Sequence, residues 1–592
     1  MSSNHEQHAG GGTSSRAHLL VMVLLLLLGA LFRLRGLGGQ IPIDDEWHGL
    51  DFALTRSVWF LFTHFSRAGA NSVPFNLYLR TMLDSFGWNE VSIALPSLLA
   101  GVALLWIFPR WVSRRFGVGA GAATAALLAL SPFLIFYSRV ARAYSVVVLL
   151  ECLSLVALCE WLRTARRRHA IELALYGGLA IWTHASALPP LAAALAAAAG
   201  HRWLRSRKAR TPALPPAWQV VAAGLATLGL AGALWLPALR TPMPVMWHAP
   251  AHFSARTLWG VVELLSGTDA ASLQVIYWVL AVTGVVLAAR SARQEMVVLG
   301  AAAAGCLFAV LLTRPNAGGV AGVFVRYLLP VFLLASLAIG VAIQSAVRAA
   351  ATRASQRLLV GAAIGLGVAL FALGPLPRLH DASNSFTKHP TFQFDYGEHD
   401  PDRARPDPLD PGAPAGLHRA ELQPFYAQLS REAGTAPVIE YPFVLGEDAN
   451  VLYFAQQVHA RPVLAGYYRS GALDQDVFGI AVGPRASTDR RPPSPGYITS
   501  GMMVDHVLGR PESDGRIHLR TVVDIADPDA VFRSQAQYLI LHWNPLREFF
   551  HIGPAWGRSR FVDRIRKQLL DRYGAPAFEN GAICVFRLTG AR

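Results

Sequence analysis

Eleven stretches of the chain are almost continuously apolar: 19–32, then approximately 91–109, 117–137, 143–162, 170–183, 184–200, 217–238, 272–289, 296–313, 326–347 and 358–376. Most approach the about 20 residues that a helix needs to cross a bilayer, so about eleven transmembrane helices are predicted. The pair 170–183 and 184–200 is short and shares an ill-defined boundary. Between the first two runs lies a long loop, 38–90, in which Phe52, Val58, Trp59, Leu61, Phe62 and Phe65 recur at roughly helical spacing. That pattern predicts an interfacial amphipathic helix. The loop at about 239–271 carries Trp247, His248, Phe253, Trp259 and Glu263, a mixture suited to a membrane surface and equally to packing. After the last run, Pro375 and Pro377 stop the helix, and 377–416 reads as a Pro- and Asp-rich linker. From 417 to 592 the pattern becomes that of a soluble α/β or α+β domain. Helices are predicted near 417–433 and 561–573, and strands near 437–441, 451–454, 538–542 and 582–588.

Composition supports this division. The chain is 53% hydrophobic and 15% charged over 592 residues, too apolar for a soluble protein of that size. Its net charge of +15 could suggest nucleic-acid binding, but seventeen Lys and Arg residues fall after every second apolar run. They stand at Arg110, Arg114, Arg115; Arg163, Arg166, Arg167, Arg168; Arg202, Arg205, Arg207, Lys208, Arg210; Arg290, Arg293; and Arg348, Arg353, Arg357. Because basic loops stay cytoplasmic, the excess is a topology signal and no nucleic-acid partner is expected. The tail 1–18 is then cytoplasmic, and eleven crossings leave 417–592 extracytoplasmic. The first run could also be read as a signal peptide, but it has no clean small-x-small site, and a retained span is preferred. Of four cysteines, Cys152, Cys159 and Cys306 lie in apolar runs and only Cys584 in the last domain, which supports neither a disulfide framework nor a cysteine zinc site.

Two groups of charges break the pattern. Asp44, Asp45 and Glu46 follow the first run closely; ionised acids beside hydrocarbon are either a solvated loop or a functional site. Arg139 and Arg142, and Arg314 and Arg326, stand at the other membrane face from the remaining cations. Snorkelling accounts for any one of them. Spaced three apart beside Tyr137 and Tyr144, however, Arg139 and Arg142 would share a helix face, and a guanidinium fork matches phosphate oxygens. His184, at the junction of the fifth and sixth runs, is either structural or a helper for a sugar or phosphate.

In order and in residue type, these segments resemble the membrane-embedded, GT-C-type glycosyltransferases of bacteria that use a polyprenyl-phosphate sugar. That superfamily includes the protein O-mannosyltransferases and the lipid A aminoarabinose transferases. The similar segments are Asp45-Glu46, Val73-Pro74-Phe75-Asn76-Leu77-Tyr78, Gly87-Trp88-Asn89-Glu90 through Pro96-Ser97, Ser138-Arg139-Val140-Ala141-Arg142-Ala143-Tyr144, Thr183-His184 and Arg326-Tyr327-Leu328-Leu329-Pro330. Together they span about 17–376. The chain departs from the family at Ser72-Val73-Pro74, where His-Pro-Pro is usual, and at Ala143, which replaces a proline. The arginine common before Pro96-Ser97 is missing, the positions being Ile93-Ala94-Leu95. In the last domain, Gln456 through Pro462 and Gly466-Tyr467-Tyr468-Arg469 are similar to soluble parts of related transferases, as a structural turn or an acceptor contact.

The resemblance implies a GT-C-like transmembrane domain over 19–376 and an inverting sugar transfer to an acceptor hydroxyl at the extracytoplasmic face of a bacterial inner membrane. Asp45 would be the general base, with Glu46 and Asp44 orienting substrate, tuning its pKa or holding a divalent cation. Arg139, Arg142 and Arg326 would grip the lipid phosphate, with Tyr144, Tyr327 and His184 around it. No cofactor is required beyond that cation, and the acceptor is a glycan, a lipid or a protein. Two readings outside this class remain: a secondary transporter, disfavoured because no internal repeat is visible, and a non-catalytic membrane scaffold carrying a sensing domain.

Overall fold

The computed structural model describes residues 11–35, 37, 46, 49, 53, 57–64, 72–86, 90–209, 215–240, 255–268, 270–313, 325–374, 376–378, 423–432, 436, 438–441, 443–445, 461, 463–464, 481–482, 497–498, 504–511, 517–523, 536–543 and 560–588. The chain divides into two compact units, Met1–Arg35 with Ser72–Pro74 and Ala94–Pro377, and Gly36–Asn71 with Phe75–Ile93 and Arg378–Arg592.

The first unit is a helical bundle. Its elements begin with α1 (Gly11–Leu34) and α4 (Glu90–Phe116); between these in the chain come α2 (Val58–Thr63) and α3 (Val73–Phe86), and α3 from Phe75 onward belongs with α2 to the second unit. There follow α5 (Val118–Leu130), α6 (Pro132–Arg139), α7 (Tyr144–Thr164), α8 (Arg167–Thr183), α9 (Leu188–Ala209) and α10 (Ala217–Trp235). After α11 (Ala255–Ser266) come α12 (Ala271–Ser291), α13 (Arg293–Thr313), α14 (Leu329–Ala349) and α15 (Arg353–Leu373). Helix therefore occupies every one of the eleven apolar runs.

The number of spans is smaller by a stricter measure. Among the described residues, seven helices are long and apolar enough to cross a membrane, or eight if α5 and α6, bent by 58° at Ser131, form one span. The difference from eleven has identifiable causes. α8 has only 17 residues. The far half of α9 carries His201, Arg202, Arg205, Arg207 and Lys208, and α15 opens with Arg353 and Arg357.

α14 and α7 are the centre of the bundle: 72% and 67% of their apolar windows are buried, against 17% for α1. Close backbone approach makes the centre tight. A Cβ at Gly284 of α12 would stand 1.7 Å from the Ala338 carbonyl of α14, so only glycine fits there. At the basic end, Arg115 pairs with the buried Glu295 at 2.5 Å, and Gln344 Oε1 accepts from the Gly119 amide at 2.7 Å, closing the start of α5.

The C-terminal part of the second unit is α/β, as predicted. A five-stranded sheet has the order β3-β1-β8-β10-β9, built from β1 (Val438–Tyr441), β3 (Val463–Leu464), β8 (Tyr538–His542), β9 (Phe578–Glu579) and β10 (Ile583–Arg587). β1 runs parallel to β3 and β8, whereas β10 is antiparallel to β8. Because side chains alternate along a strand, Val438, Tyr538, Ile540, Ile583 and Val585 share one face. They pack on Phe425, Tyr426 and Leu429 of α16 (Pro424–Arg431). α17 (Arg560–Tyr573) lies against β8 and β10, where Arg566 bonds to Cys584 of the opposite face. Apart from this sheet, β2 (Phe443–Leu445), β6 (Val504–Pro511) and β7 (Ile517–Val523) form an antiparallel sheet, and β4 (Ala481–Val482) pairs with β5 (Tyr497–Ile498). The helix predicted near 417–433 is described over 424–431, and the strand predicted at 451–454 lies outside the described residues.

Candidate functional site

The junction between α6 and α7 gathers most of the residues singled out above. α6 begins with Ser131 accepting from the Leu134 amide at 3.2 Å and with Pro132 in its first turn, and all eight of its residues are buried. It stops at Arg139. Val140 is extended, and the Arg142 amide turns back to the Val140 carbonyl at 2.7 Å. The Arg142 carbonyl accepts from Ser97 Oγ of α4 at 2.5 Å, which gives the Pro96-Ser97 motif a physical role: it anchors the backbone that carries Arg142. α7 then starts at Tyr144.

Rings and cations converge on Tyr144. The His184 ring lies 5.6 Å away and the Tyr327 ring 6.4 Å away, the latter edge-on, while His184 and Tyr327 are 6.3 Å apart. Tyr137 meets Tyr144 edge-on at 5.3 Å. Arg326 sits over both Tyr144 (5.0 Å) and Tyr327 (5.1 Å), and Arg142 lies 5.8 Å from the Tyr144 ring. Such contacts hold a guanidinium in place by its attraction to the ring faces. His184 caps the short turn Ala185–Ala187: its Nδ1 accepts from the Ser186 amide at 3.2 Å, and Ser186 Oγ is 2.7 Å away. A neutral imidazole held this way carries its proton on Nε2. Tyr327 is fixed from behind, since Cys306 Sγ of α13 donates to its carbonyl.

Arg142, Tyr144, His184, Arg326 and Tyr327 are thus brought together, five residues from three separate stretches of sequence. Arg139 is used differently. Its Nη1 donates to the Arg35 carbonyl at 2.6 Å and the Phe32 carbonyl at 3.3 Å, so it caps the C-terminal end of α1. Asp44, Asp45 and Arg314 lie outside the described residues. Glu46 is described and is buried, 1% exposed, within the second unit. In that unit Tyr78 of α3 donates to the Ser92 carbonyl at 2.6 Å, and burial raises its phenol pKa. No cluster of three or more His, Cys, Asp or Glu side chains suited to a metal occurs among the described residues.

Two residues escaped the sequence reading. Arg33 directly follows the first apolar run and is fully buried, with Nε to Ser138 Oγ at 3.1 Å, Nη1 to the Gly29 carbonyl at 2.8 Å and Nη2 to the Leu128 carbonyl at 3.2 Å. Its signal was available, because it interrupts the apolar run directly after Phe32. Arg461, within the Gln456–Pro462 echo, is also fully buried. It bonds to Gln537 Oε1 and to Glu432 at the end of α16, so in the structure it staples α16 to the start of β8.

Residues 73–224, which include Ser97, Arg139, Arg142, Tyr144 and His184, match the sequence profile of the dolichyl-phosphate-mannose-protein mannosyltransferases. The matched segment runs from α3 to α9 and into the start of α10. Solved structures similar to the chain include ArnT from Cupriavidus metallidurans in the apo state, 12% identical, covering 98% of this chain and 100% of that one with a TM-score of 0.47. The same protein bound to undecaprenyl phosphate is 11% identical with the same coverage and a TM-score of 0.44. The oligosaccharyltransferase of Archaeoglobus fulgidus in complex with Zn and sulfate is 12% identical, covering 89% of this chain and 68% of that one with a TM-score of 0.37. No curated protein sequence matches the chain significantly.

Proposed function

We propose that this protein is a membrane glycosyltransferase of GT-C type that moves a sugar from a polyprenyl-phosphate donor to an acceptor hydroxyl at the extracytoplasmic face of a bacterial inner membrane. The observation that carries the reading is the Arg142, Arg326, Tyr144, Tyr327 and His184 cluster, built in large part from the mannosyltransferase-family domain. A phosphate already leaves readily, so the chain has three tasks: deprotonate the attacking hydroxyl, offset charge on the departing phosphate, and align the two. Asp45 is assigned as general base, with Glu46 and Asp44 orienting the acceptor or holding a divalent cation. Arg142 and Arg326 are assigned to the phosphate, since both converge on Tyr144 and a guanidinium fork matches phosphate oxygens. Arg139 is assigned to hold the end of α1 beside them through the Phe32 and Arg35 carbonyls. Tyr144 and Tyr327 form the wall against which sugar or phosphate sits, and His184 supplies a further donor. The C-terminal domain is assigned to the extracytoplasmic side, with a glycan, lipid or protein as acceptor.

Transfer of radiolabel from polyprenyl-phosphate sugars in membranes tests the proposal. Asp45→Asn and Arg142→Ala are each expected to lower transfer, the arginine change by about a hundredfold or more, in line with the loss of one oxyanion donor. Native transfer rates in both variants would remove the site, and a transporter of the same donor would move label across the membrane without transferring it.

A further inference from the structure

Leu128 sits four residues before Pro132, so in a continuous helix its carbonyl would accept the amide of residue 132. Proline has no amide hydrogen, and the helix breaks there, with a 58° bend between α5 and α6. A carbonyl orphaned in the interior of a membrane domain is costly and needs a replacement donor. Arg33 is that donor: its Nη2 reaches the Leu128 carbonyl at 3.2 Å. The same guanidinium holds its own helix through Gly29 and holds α6 through Ser138 Oγ, which itself donates to the Leu134 carbonyl at 2.5 Å. In return, Arg139 at the end of α6 caps the Phe32 and Arg35 carbonyls at the end of α1. An arginine from each helix satisfies backbone that the other cannot.

We propose that Arg33 is a positioning residue for the phosphate-binding junction: by supplying the hydrogen bond that Pro132 removes, it fixes the angle of α6 and with it the place of Arg142 and Tyr144 opposite Arg326 and Tyr327. The inference rests on the phosphate reading of that cluster. Packing around Arg33 is arranged for this purpose. Gly101 of α4 leaves room for Ser138, because a Cβ there would stand 2.0 Å from Ser138 Oγ and 3.4 Å from Arg33 Nε. A cavity of about 10 Å³, lined by Arg33, Gly101, Ser138 and Ser145 among others, adjoins the latch. That is room for about one water beside a guanidinium with five N–H groups and three bonds. A lysine keeps the charge but carries its donors on one nitrogen, which cannot reach the three acceptors that Nε, Nη1 and Nη2 meet on three helices, so charge and geometry separate cleanly in a substitution.

The experiment compares binding of undecaprenyl phosphate with that of undecaprenol to the full chain in nanodiscs, taking the ratio of the two affinities as the phosphate preference. Arg33→Met and Arg33→Lys are expected to lower that preference about tenfold, as for one lost hydrogen bond to a charged group, and leave undecaprenol binding native. Ser138→Ala, which removes one of the three acceptors and little volume, is expected to lower it by a smaller factor. Arg142→Ala and Arg326→Ala in the same assay report on the phosphate reading itself. If they keep the native preference, that reading fails. If they lose it while Arg33→Lys and Ser138→Ala keep it, Arg33 is only structural and the positioning inference fails alone. Equal losses for phosphate and alcohol would also overturn it, as general damage to the bundle. Should Arg33→Met not fold, Arg33→Lys and Ser138→Ala decide the matter by the same ratio.

Discussion

At the scale of single residues, Arg139 and Arg33 both bond to backbone carbonyls, Arg326 lies over two tyrosine rings and Arg142 beside one. The sequence placed all the members of the Arg142 cluster in one functional group, because type, order and membrane side are properties of sequence. It did not distinguish Arg139 from Arg142, since capping depends on where the end of α1 comes to rest. Arg461 shows the same limit: its segment read as a structural turn or an acceptor contact, and long-range bonds to Gln537 and Glu432 make this arginine a staple. Nearby, Tyr538 donates to both Glu432 carboxylate oxygens at 3.1 and 3.0 Å. Burial first and this carboxylate second raise its phenol pKa. The folded chain therefore holds that proton more tightly than the unfolded chain does. Its contribution to stability is complete below the unfolded value of about 10 and is lost as the pH rises through the folded value. Melting followed by tryptophan fluorescence should show the native protein losing stability above about pH 10 more steeply than Tyr538→Phe. Parallel curves would remove Tyr538 from the account.

At the scale of elements, hydrophobic period located helices well and breaks poorly. The run 117–137 read as one span, but Pro132 and the Ser131 cap divide it into α5 and α6, and the second piece is what aims Arg139 and Arg142. In the C-terminal domain the strands predicted at 437–441, 538–542 and 582–588 are β1, β8 and β10, the buried centre of the sheet. β3 and β9, two residues each, were missed, because so short a strand has no period to read and is defined by its partner. Glycines inside helices likewise differ in meaning only once the partner helix is known. Gly101→Ala forces a Cβ onto Ser138 and is expected to cost about 1–3 kcal/mol as overpacking. Gly361→Ala on α15, where nothing lies within 4 Å, should be neutral or stabilising through helix propensity. Thermal unfolding of the two variants in one detergent checks this; equal melting temperatures would mean that α4 and α6 are not closely apposed at Ser138.

At the scale of the whole molecule, the open matter is parity. Eleven crossings put the two ends of the chain on opposite sides of the membrane, and eight put them on the same side. Dropping α8 and α9 together changes nothing in that respect, so the difference rests on α15 alone. α15 has 21 residues, about 31 Å of helix, enough to span. Its hydropathy is lowered by Arg353, Gln356 and Arg357, all within its first turn or so, where basic residues mark a cytoplasmic end. A capping box at Thr352 and Ser355 starts the helix just before them. These features are those expected of a crossing α15, on which the proposed extracytoplasmic placement of the C-terminal domain depends. The native cysteines favour a direct test, because Cys152, Cys159, Cys306 and Cys584 are all buried and should react slowly. Single substitutions Ala68→Cys in the first loop, Ala351→Cys between α14 and α15, and Ser385→Cys after α15 then report three positions with an impermeant maleimide. Labelling from outside is expected at 68 and 385 and not at 351. If 351 and 385 label from the same side, α15 does not cross, and the C-terminal domain cannot serve an extracytoplasmic acceptor.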